Sequence, residues 1–269
     1  MKVVLFCGGQ GMRLREYSET IPKPMVHIGY RPILWNIMKY YAHFGHKDFI
    51  LCLGYKADMI KNYFVNYNEY ISNDFVFSKG GNSLRLLNTD IIDWKITFVD
   101  TGLKTNIGQR LKAVERYLED EDIFLANYSD GLSDLPLMKM ISHFFNLKKI
   151  ASFLCVQPTQ SFHVVKLKDE DNVKDIHHIS QSGIWINGGF FILRKEIFNY
   201  IRDEEDLVMN PFQRLIQENK LAGYKYRGFW LGMDTFKDKQ LLDDMYSRGD
   251  TPWEVWKGIQ NPERTKMVA

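Results

Sequence analysis

The chain opens on four consecutive apolar residues, Val3–Phe6, that run into Gly8 and Gly9. A strand without a polar residue has no solvent face, and strands buried on both faces belong to parallel sheets covered by helices on each side. The rest of the chain repeats the theme. Residues 49–53, 96–99, 123–126 and Ala151–Val156 are further short apolar runs. Residues 32–44, 57–64, 109–118 and 135–145 lie between them with apolar side chains at helical spacing. In residues 32–44, Pro32 suits a first helical turn, Ile33, Leu34, Ile37 and Tyr41 share a face, and Gly45 marks the stop. This alternation predicts an α/β fold with a doubly wound, mostly parallel sheet, in which ligands bind at the carboxyl ends of the strands. Gly8-Gly9, Asp100-Thr101 and Ser129-Asp130 fall at such ends.

The second half is less regular. Residues 164–167 and 173–176 read as short strands flanking an acidic turn, 168–171. A strand over 185–193 is interrupted by Gly188-Gly189, which predicts a bulge or a close backbone approach. Residues 229–233 lead to Asp234 and a helix over 237–246, and Trp253 and Trp256 lie in the tail after Gly249. No repeat or linker breaks the chain, so a single domain over residues 1–269 is expected, in two halves, 1–130 and 131–248, with a tail, 249–269.

Composition narrows the function classes. Hydrophobic residues at 45% and charged residues at 25% fit a soluble globular protein and exclude a disordered chain. The net charge of +2 demands neither nucleic acid nor an anionic membrane as partner, and leaves room for a local phosphate site. Cys7, Cys52 and Cys155 are odd in number and far apart, which argues against a disulfide framework and fits a reducing compartment. No apolar run approaches the ~18 residues of a membrane span, and the first residues lack a signal-peptide pattern. A cytoplasmic location is expected.

The sharpest stretch is Gly8-Gly9-Gln10-Gly11-Met12-Arg13, followed by Pro22-Lys23-Pro24. A strand feeding a glycine-rich turn lets backbone N–H groups face anionic oxygens without Cβ obstruction. Arg13 is suited to fork two phosphate oxygens, and Lys23, held between prolines, adds a point charge. Two better-known phosphate motifs fail: no Lys-Ser or Lys-Thr follows the glycines as in a Walker A loop, and Leu14 stands where a dinucleotide fingerprint needs its third glycine.

These residues resemble the signature of the sugar-1-phosphate nucleotidyltransferases, with the closest likeness to the glucose-1-phosphate cytidylyltransferases. The resemblance continues collinearly through Val99-Asp100-Thr101-Gly102, Arg110-Leu111-Lys112, Ser129-Asp130-Gly131, Ile186-Asn187-Gly188-Gly189 and Met233-Asp234-Thr235. It implies a Rossmann-like nucleotidyltransferase fold with a nucleotide-binding first half and a sugar-binding second half. It also implies a reaction: a sugar-1-phosphate oxygen attacks the α-phosphorus of a nucleoside triphosphate, CTP favoured, and pyrophosphate leaves. By this resemblance Gly8, Gly9, Gln10, Gly11, Met12 and Arg13 hold the triphosphate, and Thr105 and Arg110 border the nucleotide. Lys23 contacts the reacting phosphates, so that Arg13, Lys23 and Asp130 are the catalytic set. Asp130 and Asp234 match the two aspartates that bind Mg²⁺, a hard cation that bridges phosphates and keeps several waters. Pattern alone reads Asp130 as a turn residue and Asp234 as a helix N-cap. A homo-oligomer is implied as well.

The chain also departs from the family pattern. Met12 replaces a usual Thr or Ser, which removes a hydroxyl from the phosphate turn. His177-His178-Ile179 stand where a Glu-Lys-Pro touches the sugar and its phosphate, and His163 stands at a glycine position close to the sugar. His163, His177, His178 and Asn187, with Lys23, are therefore the candidate sugar-phosphate residues. Adjacent strand residues point to opposite faces, so His177 and His178 are not expected to share one ion. Rival readings are the same chemistry with UTP, dTTP or another sugar phosphate, and a non-catalytic nucleotide-sugar sensor.

Overall fold

The computed structural model describes residues 1–9, 20–159 and 162–258. In chain order its main elements are β1 (Val3–Phe6), α1 (Ile33–His43), β2 (Asp48–Leu53), α2 (Ala57–Val65), β3 (Phe75–Ser78), β4 (Ser83–Leu86), β5 (Lys95–Asp100) and α3 (Ile107–Ala113). They continue with β6 (Ile123–Tyr128), β7 (Gly131–Ser133), α4 (Leu137–Leu147), β8 (Ala151–Val156), β9 (His163–Leu167), β10 (Val173–His178), β11 (Ile186–Asn187) and β12 (Phe191–Arg194). The last are α5 (Pro211–Gln217), β13 (Leu221–Lys225), β14 (Trp230–Gly232) and α6 (Phe236–Ser247).

An eight-stranded sheet carries the fold. β1 lies at its centre, parallel to β2 on one side and to β6 on the other, and β5 extends the sheet beyond β2. On the far side β12 runs antiparallel between β6 and β8, and β13 is parallel to β8. The strand expected over 185–193 is broken into β11 and β12, both paired antiparallel with β8. The break is the expected bulge: Gly189 has φ +79° and Phe190 φ +50°, and a Cβ on Gly189 would sit 2.3 Å from Asn127 Oδ1. Glycine is required there for both conformation and space.

All four residues of β1 are buried. Alternation divides them between two cores: Val3 and Leu5 pack with α1 and α4 residues such as Ile37, Tyr41 and Phe144, while Val4 and Phe6 pack with Leu111, Leu118, Phe212 and Leu215. Helices thus cover both faces, as the all-apolar strand requires. Pro32 proves to be the N-cap of α1, with φ −64° and ψ 155°. Gly45, with φ +86°, follows the helix end. The tail closes on the core, with Trp253 buried against Phe229 at 5.7 Å between ring centroids and Trp256 edge-on to Trp35 at 5.9 Å. Among the described residues no helix is long and apolar enough to cross a membrane.

Candidate functional site

Two loops meet because of a short ribbon. β7 pairs antiparallel with β14 so that Gly131 faces Gly232. The residues just beyond that pair, Asp130 and Asp234, therefore leave the ribbon at the same end. The Met233 N–H donates to the Asp130 carbonyl at 2.8 Å and fixes the junction. The Ser129 hydroxyl donates to the Phe6 carbonyl at 2.8 Å and ties this turn to the carboxyl end of β1.

Asp234 is not the N-cap of the following helix. Thr235 is: its side chain accepts from the Asp238 N–H, and the Asp238 carboxylate accepts in return from the Thr235 and Asp234 N–H groups. That capping box leaves the Asp234 carboxylate for other work. Lys23 enters from the opposite side, in a 3₁₀ turn entered through Pro22 and continued by Pro24, with the Met25 N–H bonded to the Pro22 carbonyl at 2.8 Å. Its Nζ donates to Asp130 Oδ2 at 2.6 Å and to Asp234 Oδ1 at 2.8 Å. Burial alone would lower the Lys23 pKa, but the two carboxylates outweigh it and raise it.

These three residues sit in a cleft of about 770 Å³, lined also by Gly8, Gly9, Thr105, Arg110, Tyr128 and Asp206. Arg110 forms part of its floor. The guanidinium is buried and donates to the carbonyls of Gly8, Leu53 and Leu103 and, at 2.6 Å, to Thr101 Oγ1. These acceptors lie at or just beyond the ends of β1, β2 and β5, so one side chain gathers three strand ends. A Cβ on Gly8 would fall 2.0 Å from Arg110 Nη1. Gly8 is thus glycine to admit the guanidinium, whereas the space over Gly9 is open. Burial lowers the Arg110 pKa.

The structure brings Gly8, Gly9, Lys23, Thr105, Arg110, Asp130 and Asp234 to one cleft. Gln10, Gly11, Met12 and Arg13 lie outside the described residues. Asn187 reaches the cleft through Tyr128: its Nδ2 donates to the Tyr128 hydroxyl at 3.3 Å, and its Oδ1 accepts from the Gly189 N–H at 2.9 Å. The histidines sit on the β9–β10 hairpin, not among the lining residues. His163 faces His178 across the strands with ring centroids 5.7 Å apart. His178 Nδ1 accepts from the Ser180 N–H at 3.2 Å. His177 contacts Asp175 at 3.0 Å and, as the alternation requires, belongs to the other face.

Tyr128 and Asp206 escaped the sequence reading. Tyr128 is the last residue of β6 and carried a usable signal, since it directly precedes Ser129-Asp130. Asp206 lies in a segment without periodicity and had none. Its Oδ1 accepts from the Val208 and Met209 N–H groups at 3.0 and 3.4 Å. The Tyr128 pKa is pushed up to about 12 by burial and then by the Asp206 carboxylate, against the lowering effect of the Asn187 hydrogen bond.

Among the described residues no three His, Cys, Asp or Glu side chains cluster as a metal cage. Two carboxylates converging on one cation, here the Lys23 ammonium, fit a hard divalent ion whose remaining ligands are phosphate oxygens and water.

The nucleotidyl transferase family model matches residues 2–243. Glucose-1-phosphate cytidylyltransferase of Salmonella typhimurium (strain LT2) is 37% identical over 258 residues, covering 96% of this chain and 100% of that protein. The protein of the same name from Salmonella typhi is likewise 37% identical over 258 residues, with the same coverage. The crystal structure of UDP-glucose pyrophosphorylase complexed with UDP-glucose superposes with a TM-score of 0.68 at 16% identity, over 92% of this chain and 98% of that one. That last likeness is one of fold. The family match runs from β1 into α6 and takes in Lys23, Asp130 and Asp234 on the way: the chain belongs to the nucleotidyl transferase family.

Proposed function

We propose that this chain transfers the cytidylyl group of CTP to glucose-1-phosphate, or to a related sugar-1-phosphate, and releases pyrophosphate. The observation that carries the reading is the convergence of Lys23, Asp130 and Asp234 on one cleft at the end of β1, in a chain whose relatives bear the name glucose-1-phosphate cytidylyltransferase over their full length.

A phosphate oxygen of the sugar-1-phosphate attacks the α-phosphorus. The bond to the bridging oxygen of the β-phosphate breaks, and its electron pair leaves with pyrophosphate. The attacking oxygen is already ionised, so no general base is required. The protein's task is to align two polyanions and to offset the charge that builds between them. Lys23 supplies an ammonium for that charge, and its proline-flanked turn fixes the backbone from which it reaches. Arg110 contributes a buried positive floor under Gly8, with Gly9 and Thr105 on the nucleotide side. By the same reading Arg13 adds a further cation against the triphosphate. Asp130 and Asp234 would hold Mg²⁺, which supplies Lewis-acid neutralisation of the phosphate oxygens when bound. Asn187, reaching the cleft through Tyr128, places the sugar half next to the reacting phosphates.

The test is pyrophosphate release over CTP, UTP, dTTP, ATP and GTP, each paired with a panel of sugar-1-phosphates. A CTP-dependent signal with glucose-1-phosphate or an epimer or deoxy relative supports the reading. Preference for another base, or no release with any pair, overturns it.

A further inference from the structure

The hydrogen-bond directions around Tyr128 are fixed by its neighbours. Asn187 Oδ1 is held by the Gly189 N–H at 2.9 Å, so the amide cannot flip, and Nδ2 is the atom that faces Tyr128. The Tyr128 hydroxyl is therefore the acceptor in that bond, and its own proton remains to be donated. In the lining of the same cleft, Asp206 uses only Oδ1, to cap the turn at Val208 and Met209. Among the described residues Oδ2 has no hydrogen-bond partner. The cleft lining thus includes one donor and one charged acceptor, the Asp206 charge acting on Tyr128.

That pairing selects its ligand group. A phosphate accepts from Tyr128 but is repelled by Asp206. An ammonium satisfies Asp206 but has no lone pair for Tyr128, and an exocyclic base amine is likewise a donor only. A hydroxyl accepts one bond and donates another. We propose that Tyr128 and Asp206 form a hydroxyl-reading pair, in which one sugar hydroxyl accepts the Tyr128 O–H and donates its proton to the Asp206 carboxylate. The proposal rests on the functional reading above and deepens it. Both substrates carry such hydroxyls, on the ribose of the nucleotide and on the sugar-1-phosphate.

Asp206→Asn keeps a carbonyl oxygen for the Val208 and Met209 N–H groups, and so keeps the turn while removing the charge. Tyr128→Phe removes the donor and leaves the ring packed against Phe6 and Phe191. Binding by calorimetry and Michaelis constants are measured for wild type and both variants. The ligands are CTP, its 2′- and 3′-deoxy forms, glucose-1-phosphate and its monodeoxy forms. In wild type one deoxy analogue binds about tenfold or more weakly than its parent, the loss of a hydrogen bond to a charged group. In either variant the same analogue costs clearly less than it costs wild type, because one of the hydroxyl's two bonds is already gone. The substrate showing this coupling, nucleotide or sugar phosphate, identifies which hydroxyl is read. If every deoxy analogue costs the variants as much as it costs wild type, or if both variants bind all parent ligands like wild type, the pair does not read a hydroxyl. A wild-type protein that binds both substrates with the expected coupling yet forms no nucleotide sugar would refute the catalytic reading and leave this pair standing.

Discussion

Lys23 and Asp130, 107 residues apart in sequence, meet at 2.6 Å on the cleft floor, and the same ammonium reaches Asp234 at 2.8 Å. One side chain therefore holds together the two carboxylates assigned to the metal. Lys23→Met removes that counter-charge and leaves the carboxylates facing each other. The substitution is expected to lower the rate by about a hundredfold or more, yet to tighten Mg²⁺ binding to the nucleotide-free protein. Calorimetric titration with Mg²⁺ beside steady-state kinetics checks both, and weaker Mg²⁺ binding would remove the aspartates from the metal role.

The raised Lys23 pKa has a pH consequence. A lysine whose folded pKa exceeds its unfolded value, about 10.4, contributes stability that is complete below the unfolded value and is lost as pH rises through the folded one. The ion-pair cluster is expected to persist throughout the neutral range. Chemical denaturation between pH 7 and 11 should show wild type and Lys23→Met converging only at the alkaline end.

Asp130→Asn and Asp234→Asn are expected to reduce turnover by about two orders of magnitude or more while the fold persists. Thr235, not Asp234, caps α6, so Asp234→Asn should leave the melting temperature within roughly 2 °C of wild type. Thr235→Ala, which breaks the capping box, should instead cost about 1 kcal/mol. Thermal melts of the variants separate the two roles.

Gly8→Ala tests the floor of the cleft. Its Cβ would lie 2.0 Å from Arg110 Nη1, so the guanidinium must leave the carbonyls it gathers. A stability loss of about 1–3 kcal/mol and a raised Michaelis constant for CTP are expected together. Urea denaturation and kinetics measure them. Gly9→Ala, with open space above it, should spare stability.

His46 gives the fold an acid limit. Burial first, and then the charged amino terminus, lowers its pKa to about 4, against a hydrogen bond to Met1. A histidine depressed in the folded state protonates first in the unfolded chain, so stability falls as pH drops from about 6.5 towards 4. After discounting for solvent at this partly exposed group, the loss is about 1–2 kcal/mol. His46→Gln should flatten that part of the stability profile, as read by urea midpoints between pH 7 and 4.

The legible parts of the fold were those where burial constrains the sequence on every side. β1 could be read because both its faces are buried, and the Gly188-Gly189 interruption because paired glycines mid-strand mark a bulge or a close backbone approach. The β3–β4 hairpin was missed because Phe75, Phe77 and Leu84 are exposed, so its pattern answers to no core. Residues 109–118, expected as one helix, divide into α3 and a 3₁₀ turn at Glu115–Leu118. Leu111, Val114 and Leu118 keep a three-to-four spacing that suits either helix type. In the site, Lys23 read as a phosphate-facing cation from its own motif, whereas Asp130 and Asp234 read in isolation as an ordinary turn residue and a cap. Only the collinear resemblance joined them, and the β7–β14 register supplies the physical reason they meet. Asp206 stayed hidden because its place in the cleft depends on how residues 202–207 fold over α3, where Asn106 and Gln109 bond the carbonyls of Glu204 and Arg202.

The chemistry proposed for this cleft is cytidylyl transfer to a sugar phosphate. Its most direct test is one competition reaction: equal concentrations of CTP, UTP, dTTP, ATP and GTP with glucose-1-phosphate and Mg²⁺, the products separated and weighed by mass spectrometry. CDP-glucose is expected as the dominant nucleotide sugar, formed in step with pyrophosphate and absent when Asp130→Asn replaces wild type. A dominant product carrying another base, or the same CDP-glucose yield from Asp130→Asn, would contradict it.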